Sequence, residues 1–121
     1  MDNKLAGTMV MQFFHSRTSA HVLHLQTKSY AEHKALGDYY DGIVDAIDSF
    51  AEAYQGAHGA IDFDVSVKFE LASDAISMLT KLRFWMDNNR KAISARQEIQ
   101  NLIDGIVDLI DSTLYKLKFL S

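Results

Sequence analysis

Apolar residues follow helical spacing over four segments of the chain. In the first segment, helix A, they recur in steps of four, four, seven and three and so line one face of a helix. These residues are Leu5, Met9, Phe13, Ala20 and Leu23. Helix A is predicted from Leu5 to about Lys28.

Helix B is predicted from a capping box to about Tyr54. In the sequence from Ser29 to Glu32, the serine hydroxyl and the glutamate carboxylate can each accept a hydrogen bond from a free backbone N–H group of the first turn. The segment that follows Tyr54 holds Gly56 and Gly59, and glycine commonly ends helices in the left-handed conformation. Because helix B begins directly after helix A, the two helices should form a hairpin.

Two further helices are predicted in the second half of the chain. Helix C follows the N-cap pair Ser73-Asp74 and closes at Asp87-Asn88-Asn89. Helix D follows Ser94, which has Gln97 three residues later, as in a capping box. Its apolar positions keep helical spacing: Ile99, Leu102, Ile103, Ile106, Ile110, Leu114 and Leu117.

Between helices B and C the period of the pattern changes from helical to two. Apolar residues alternate strictly with polar ones from Ile61 to Leu71, which is typical of an extended segment with one buried face. One strand alone cannot form a sheet, so we expect an extended crossover that lies along the bundle. At about 3.3 Å per residue it would match the length of a helix of about 24 residues. The alternative is edge-to-edge pairing between subunits.

An internal repeat relates helix B to helix D. The nine residues Asp41–Ser49 (DGIVDAIDS) recur as Asp104–Ser112 (DGIVDLIDS) with eight identical positions. The alternative is that both segments follow one generic amphipathic pattern. If the repeat is real, A–B and C–D are similar hairpins joined by a crossover, which is the connectivity of ferritin-like bundles. We predict an all-α, ferritin-like four-helix bundle that forms a single domain over residues 1–121, and the absence of proline agrees with long helices.

Composition and charge narrow the classes of function. The 121 residues are 48% apolar and 23% charged, as expected for one globular domain. Without cysteine, a metal must rely on oxygen and imidazole ligands. A net charge of −4 argues against a nucleic-acid surface, so we expect no DNA partner. No apolar run is long enough to span a membrane and no leader-like segment begins the chain, so we expect a cytoplasmic protein without membrane contact.

Four metal-binding side chains have a distinctive spacing. His21, His33, Asp48 and Glu52 are separated by twelve, fifteen and four residues. Asp48 and Glu52 lie about one helical turn apart, so both carboxylates point the same way. The spacing matches the ferroxidase ligands of the Dps branch of ferritin-like proteins, the mini-ferritins, which the chain resembles over about residues 15–56.

The resemblance implies a homodimer or higher homo-oligomer that binds iron, with zinc or manganese as alternatives, and that has ferroxidase activity. Two imidazoles and two carboxylates suit any of these metals. The resemblance implies no catalytic residues beyond the metal ligands.

Helix geometry places the four candidate ligands in two half-sites. Fifteen residues of straight helix span about 22 Å, so His33 and Asp48 cannot ligate one ion within a single chain. Folding at the hairpin turn should bring His21 and His33 to similar height, as one half-site. Asp48 and Glu52 form the other, and an antiparallel two-fold dimer would bring one chain's histidines to its partner's acids. Mini-ferritins have such an intersubunit site.

The sequence departs from the mini-ferritin pattern at two positions. Gly37 stands where the pattern has an aspartate ligand four residues after His33, and Val22 stands where it has a tryptophan. Gly37 could leave a site for one metal only, Asp41 could substitute through water, or Gly37 and Gly42 could permit close helix approach.

The alternative function is a metal-free structural or protein-interaction module whose ferritin-like site has decayed. Gly37 favours this alternative, because it removes a ligand of the pattern. The other histidines of helix A, His15 and His24, are expected at exposed positions, and the alternative is that they support the metal ligands from behind.

Overall fold

Four helices fill most of the computed structural model, which describes residues 2–120. They are α1 (Asn3–Gln26), α2 (Tyr30–His58), α3 (Ala75–Ile93) and α4 (Gln97–Phe119). No strand occurs in this range. None of these helices combines the length and the apolar character needed to cross a membrane. The prediction of four helices in an all-α bundle is confirmed.

Side-chain caps begin three of the helices. Asp2 accepts a hydrogen bond from the Leu5 backbone N–H at 2.9 Å, and Asp74 accepts one from the Ser77 N–H at 2.8 Å. Ser29 caps α2 through the Glu32 N–H, as predicted. The return bond of the capping box differs, because the Ser29 N–H donates to the Thr27 hydroxyl instead of to Glu32.

Three helix ends differ from the predictions, and one of them is that of α3, which continues past the predicted stop at Asp87-Asn88-Asn89 to Ile93. α2 continues through Gly56 to His58, because the left-handed residue that ends it is Gly59, with φ of 96°. The predicted cap of helix D is wrong. Ser94 is the C-cap of α3, its side chain is buried, and its hydroxyl contacts the His58 Nε2 at 2.8 Å, so α4 begins after Arg96 without a side-chain cap.

The helices form two hairpins, α1–α2 and α3–α4, joined by the segment 59–74. Around the bundle the order is α1, α2, α4, α3: each helix packs closely on its two neighbours, and within residues 2–120 the backbones of the diagonal pairs do not approach each other closely. The Asp2 N–H donates to the Ile93 carbonyl, which places the end of α3 at the start of α1. α3 is therefore antiparallel to α1 and parallel to α2, the connectivity of a bundle with one long crossover.

The crossover lies along α1, as predicted. The Asp62 N–H donates to the Asn3 carbonyl at 3.2 Å, and the Ala72 N–H donates to the Ser19 hydroxyl at 3.3 Å. Ten residues of fully extended chain would span about 33 Å, whereas the sixteen residues of α1 from Asn3 to Ser19 span about 24 Å. The crossover takes up this excess in a turn at Asp64, whose carboxylate accepts from the Ser66 N–H.

The expectation that the alternating segment has one buried face is wrong. Among its apolar residues only Ile61 is buried, and Val65, at the turn, is 87% exposed. The turn rotates the chain, so the two-residue period does not keep its side chains on one side. Phe63, Phe69 and Leu71 consequently stay partly exposed.

Gly7 allows the crossover to reach α1. A Cβ at this position would lie 1.7 Å from the Asp62 carbonyl oxygen, so no larger residue fits.

The two glycines of the internal repeat, Gly42 and Gly105, have different surroundings. A Cβ on Gly42 would meet the Leu109 side chain at 3.2 Å, whereas one on Gly105 would meet nothing within 4 Å. In the antiparallel register that sets Gly42 opposite Leu109, Gly105 lies opposite Ala46, the one position at which the two repeats differ.

A buried hydrogen bond joins the two helices of the first hairpin. The Tyr39 and Ser16 hydroxyls lie 2.7 Å apart, and both side chains are buried. Burial raises the pKa of Tyr39 well above its ordinary value of 10.0, and the hydrogen bond to Ser16 lowers it by a smaller amount. The phenol is therefore a neutral component of the core.

Gly7→Ala and Gly105→Ala should change stability in opposite directions. Gly7→Ala forces the crossover away from α1 and should lower the free energy of unfolding by about 1–3 kcal/mol. Gly105→Ala adds a methyl group in open space and removes a flexible helical glycine, so it should raise this free energy by about 0.5–1 kcal/mol. Urea unfolding followed by circular dichroism measures both, and a Gly7→Ala variant as stable as the wild type would contradict the contact with Asp62.

Alkaline pH should destabilise the protein through Tyr39. The folded protein keeps the phenol proton to higher pH than the unfolded chain does, so the contribution of Tyr39 is complete below about pH 10 and declines above it. Tyr39→Phe should lower the free energy of unfolding by about 1 kcal/mol at pH 7, through loss of the hydrogen bond to Ser16. It should also make the decline above pH 10 shallower than in the wild type, as measured by urea unfolding across pH, and an unchanged slope would argue against a buried phenol.

Candidate metal centre

Two imidazoles stack on each other at the tip of the first hairpin. The ring centroids of His24 and His33 lie 3.6 Å apart, and their planes differ by 18°. The Nδ1 of His24 is 2.5 Å from the His33 carbonyl oxygen, and the Nδ1 of His33 is 2.8 Å from the His24 carbonyl oxygen. Each side chain therefore bonds to the backbone of the other residue.

These bonds define the tautomer of both rings. A carbonyl oxygen can only accept, so each Nδ1 carries the hydrogen and, in the neutral ring, each Nε2 keeps a free lone pair. Neither Nε2 has a hydrogen-bond partner among residues 2–120. Histidines that ligate metals commonly donate their other ring N–H to a carbonyl in this way, which fixes the ring. The arrangement is thus suitable for metal binding through Nε2.

His21 occupies a neighbouring position and does not meet His33 directly. Its ring stacks on Tyr40 with centroids 4.2 Å apart, and it lies 6.1 Å from the His24 ring. The Arg17 guanidinium lies over the Tyr40 ring, with its central carbon 5.7 Å from the ring centroid. The predicted half-site of His21 and His33 thus contains a third imidazole between them, that of His24.

The structure explains why a glycine stands at position 37. A Cβ at Gly37 would lie 3.2–3.3 Å from the His24 ring, so the glycine leaves room for this imidazole. The expectation that His24 is exposed is wrong, since it is half-buried beneath Gly37. The signal in the sequence was the combination of a small residue on α2 with an extra histidine on α1.

Asp48 and Glu52 lie farther along α2 and face solvent. Asp48 borders a cavity of about 230 Å³ between α1 and α2, together with Phe14, Arg17 and Val44. Neither acid forms an ion pair or a hydrogen bond with another residue between positions 2 and 120. The imidazoles and Asp48 thus lie along the same pair of helices, separated along α2 by about 22 Å from His33 to Asp48.

Within residues 2–120, no group of three or more histidine, aspartate or glutamate side chains could hold a metal ion. The stacked rings of His24 and His33 also have nearly parallel planes, so their lone pairs do not converge on one point. A metal ion bound here would therefore need ligands from another molecule.

The remaining histidines have structural contacts elsewhere. His15 packs edge-on against Phe69 of the crossover at 5.7 Å, and it is half-buried where we expected exposure. His58 contacts Tyr54 and Ser94 at the opposite end of the bundle.

Comparison with known proteins places the chain in a family. Residues 24–117 match the model of a family of unknown function, DUF5856. The chain belongs to this family. It is also 31% identical over 102 residues to an uncharacterized 14.6 kDa protein from the mobD-ri intergenic region of Enterobacteria phage T4. The aligned region covers 83% of this chain and 74% of the phage protein. No solved structure matches the chain.

The DUF5856 match begins at His24, so it includes His33, Asp48 and Glu52 but not His21. Neither comparison names a ferritin-like protein. The kinship of this DUF5856 member with mini-ferritins therefore stays a prediction.

The stacked histidines should stabilise the hairpin as a coupled pair. His24→Ala and His33→Ala should each lower the free energy of unfolding by about 1–2 kcal/mol through loss of a hydrogen bond and of ring contact. The double variant should be less destabilised than the sum of the two, by about 0.5–1.5 kcal/mol. Urea unfolding of the four proteins measures the coupling, with Lys28→Ala as an exposed control, and strictly additive losses would contradict the stacking.

Proposed function

We propose that the protein binds transition-metal ions across a two-fold homodimer, and that ferrous iron is its substrate. His21 and His33 of one chain and Asp48 and Glu52 of the other chain are the proposed ligands. The observation that carries the proposal is the hydrogen bonding of the His33 side chain. Its Nδ1 is tied to a backbone carbonyl and its Nε2 is free, while two unpaired acids lie at the other end of the same helix.

A two-fold axis across the α1–α2 face would bring the proposed ligands of two copies together. The midpoint between His33 and Asp48 falls at Tyr40 and Asp41. A two-fold axis there would place each end of one α2 beside the opposite end of the other α2. Such a dimer pairs a histidine-rich end with an acidic end, and Arg17 lies between them, over Tyr40 and beside the cavity that Asp48 borders. Phe14 and Val44, 43% and 42% exposed, lie between the two ends and offer apolar surface for the contact.

The chemistry of the donor set fits one divalent ion at each site. Imidazole nitrogen and carboxylate oxygen together suit iron, zinc or manganese, and the two acids balance the charge of the ion. The aspartate expected four residues after His33 is replaced by Gly37, whose space His24 occupies. With one carboxylate fewer, the site supports one tightly held ion better than a pair.

Ferroxidase activity would follow from binding iron in this setting. Hydrogen peroxide takes one electron from each of two ferrous ions and, with two protons, forms two molecules of water. The chain's own contribution is to bind the ferrous substrate and to balance its rising charge with Asp48 and Glu52. His24 would hold the His33 ring in place during this change.

A second candidate function is a metal-free interaction module. One observation favours it: His33 donates to the His24 carbonyl, one of the last four carbonyls of α1, which lack partners within the helix. The stacked histidines thus already have a structural role as a cap of α1. In this reading the exposed α1–α2 face binds another protein without metal.

The acids provide the sharpest test, because their replacement costs no contact within the chain. With anaerobic Fe²⁺ or with Zn²⁺ at about 100 times its dissociation constant, the wild type should gain about 2.7 kcal/mol of stability. The double variant Asp48→Asn, Glu52→Gln should lose most of this gain, whereas Asp108→Asn, an exposed acid of α4, should keep it. Thermal unfolding measures the gain, and sedimentation should show that metal favours the dimer.

Two outcomes separate the candidate functions. If neither metal changes unfolding or mass, metal binding is wrong and the interaction module is favoured. If metal binds but admission of peroxide or oxygen produces ferric absorbance no faster than in buffer, the protein binds metal without being a ferroxidase.

A further inference from the structure

A groove on a different side of α1 has the composition of a ligand site. It has a volume of about 570 Å³ and lies between α1, the crossover and α3. Gln12 and His15 border it on α1, Lys68 on the crossover, and Lys81 and Trp85 on α3. The volume lies within the usual range for sites that bind small molecules.

Gln12, which borders this groove, has a hydrogen-bond acceptor without a partner. Its side-chain oxygen is buried and has no hydrogen-bond partner, which is true of no other buried side-chain nitrogen or oxygen in residues 2–120. Buried polar atoms are almost always paired, so an unpaired one at the edge of a groove is available to a ligand or a water molecule once the carboxamide turns outward. A carboxamide offers an acceptor and a donor side by side, so it can pair with a similar edge on a ligand.

The register of the helices locates the polar groups of the groove. The contacts between Asp2 and Ile93 and between Ser19 and Ala72 set the register of α1 against its neighbours, and this register places Gln12 level with Lys81. Trp85 follows one turn farther along α3. Neither Lys68 nor Lys81 forms an ion pair with any residue from 2 to 120.

Two carboxylates, those of Glu70 and Asp74, also line the groove. Asp74 caps α3 by accepting from the Ser77 N–H, and Glu70 follows the residue that packs on His15. Lys68 and Glu70 flank the same residue, Phe69, whereas Lys81 and Trp85 lie about two and three turns along α3 from Asp74.

We propose that this groove binds a mononucleotide. The Trp85 ring supplies a surface for stacking of the base, and the Gln12 carboxamide pairs with the donor and acceptor on the base edge. Lys68 and Lys81 contact the phosphate as mobile positive charges. The site lies on a different face of α1 from His21 and does not depend on the proposed metal binding.

Trp85 reports on binding directly, because it is the only tryptophan in the sequence. Adding AMP to the metal-free protein should change its fluorescence in a saturable way and raise the unfolding temperature. Adenosine should bind about tenfold more weakly for want of the phosphate contacts, and inorganic phosphate should compete weakly. No response to AMP at millimolar concentration overturns the proposal, and phosphate that binds as tightly as AMP reduces the groove to an anion site and also overturns it.

Gln12→Leu separates a ligand-binding residue from a structural one. Removing an unpaired buried oxygen should raise the unfolding temperature of the free protein, yet weaken AMP binding about tenfold or more. Gln26→Leu, at an exposed position of the same helix, should leave AMP binding unchanged. A Gln12→Leu variant that binds AMP as tightly as the wild type would show that the base does not pair there.

Lys81→Gln tests the phosphate contact. It should weaken AMP binding severalfold and make the remaining affinity less sensitive to salt, while adenosine binding should not change. Lys91→Gln, which removes a lysine near the end of the same helix, is the control. Equal losses for AMP and adenosine would contradict a phosphate at this position.

Discussion

The close approach of the crossover to α1 determines the arrangement of the bundle. After α2 the chain returns along α1, and it can do so because Gly7 leaves room for the Asp62 carbonyl. This path carries the chain back to the level of Ser19, from which α3 must run antiparallel to α1. The same path encloses the groove beside Gln12 and leaves the opposite side of α1 open, along the pair it forms with α2. The two candidate sites therefore occupy different faces of one helix.

Most of the helical architecture could be predicted because local patterns carry it. The apolar stripes, the caps at Ser29 and Asp74, and the repeat of α2 in α4 all depend on residues a few positions apart. Apart from the positions at which α2 and α3 end, the predictions that failed concern long-range contacts. Ser94 had the features of a helix cap, but its hydroxyl is needed beside His58, 36 positions away. The alternating crossover looked half-buried, but its length exceeds the distance it covers, so it turns.

The candidate metal centre shows the same division. The sequence indicated imidazoles at the hairpin tip, and His21 and His33 do lie there, but it did not indicate that His24 stands between them. Local patterns cannot report that Gly37 on one helix makes room for a side chain on another. The result is a pair of rings held by two backbone carbonyls, an arrangement that stabilises the hairpin and fixes the tautomer of His33 at once. Stability and ligand geometry are thus coupled at this point of the molecule.

The turn at the middle of the crossover has a consequence for how the chain could be divided. Val65 is the most exposed large apolar residue between positions 2 and 120, and the backbone on either side of it is bonded to α1 through Asp62 and Ala72. A break in the backbone at this tip would separate the two hairpins covalently while leaving the attachments on both flanks intact. Exposed loop tips of this kind are where proteases cut and where inserted sequence is tolerated. The bundle therefore offers a natural point for assembling the protein from two half-length fragments.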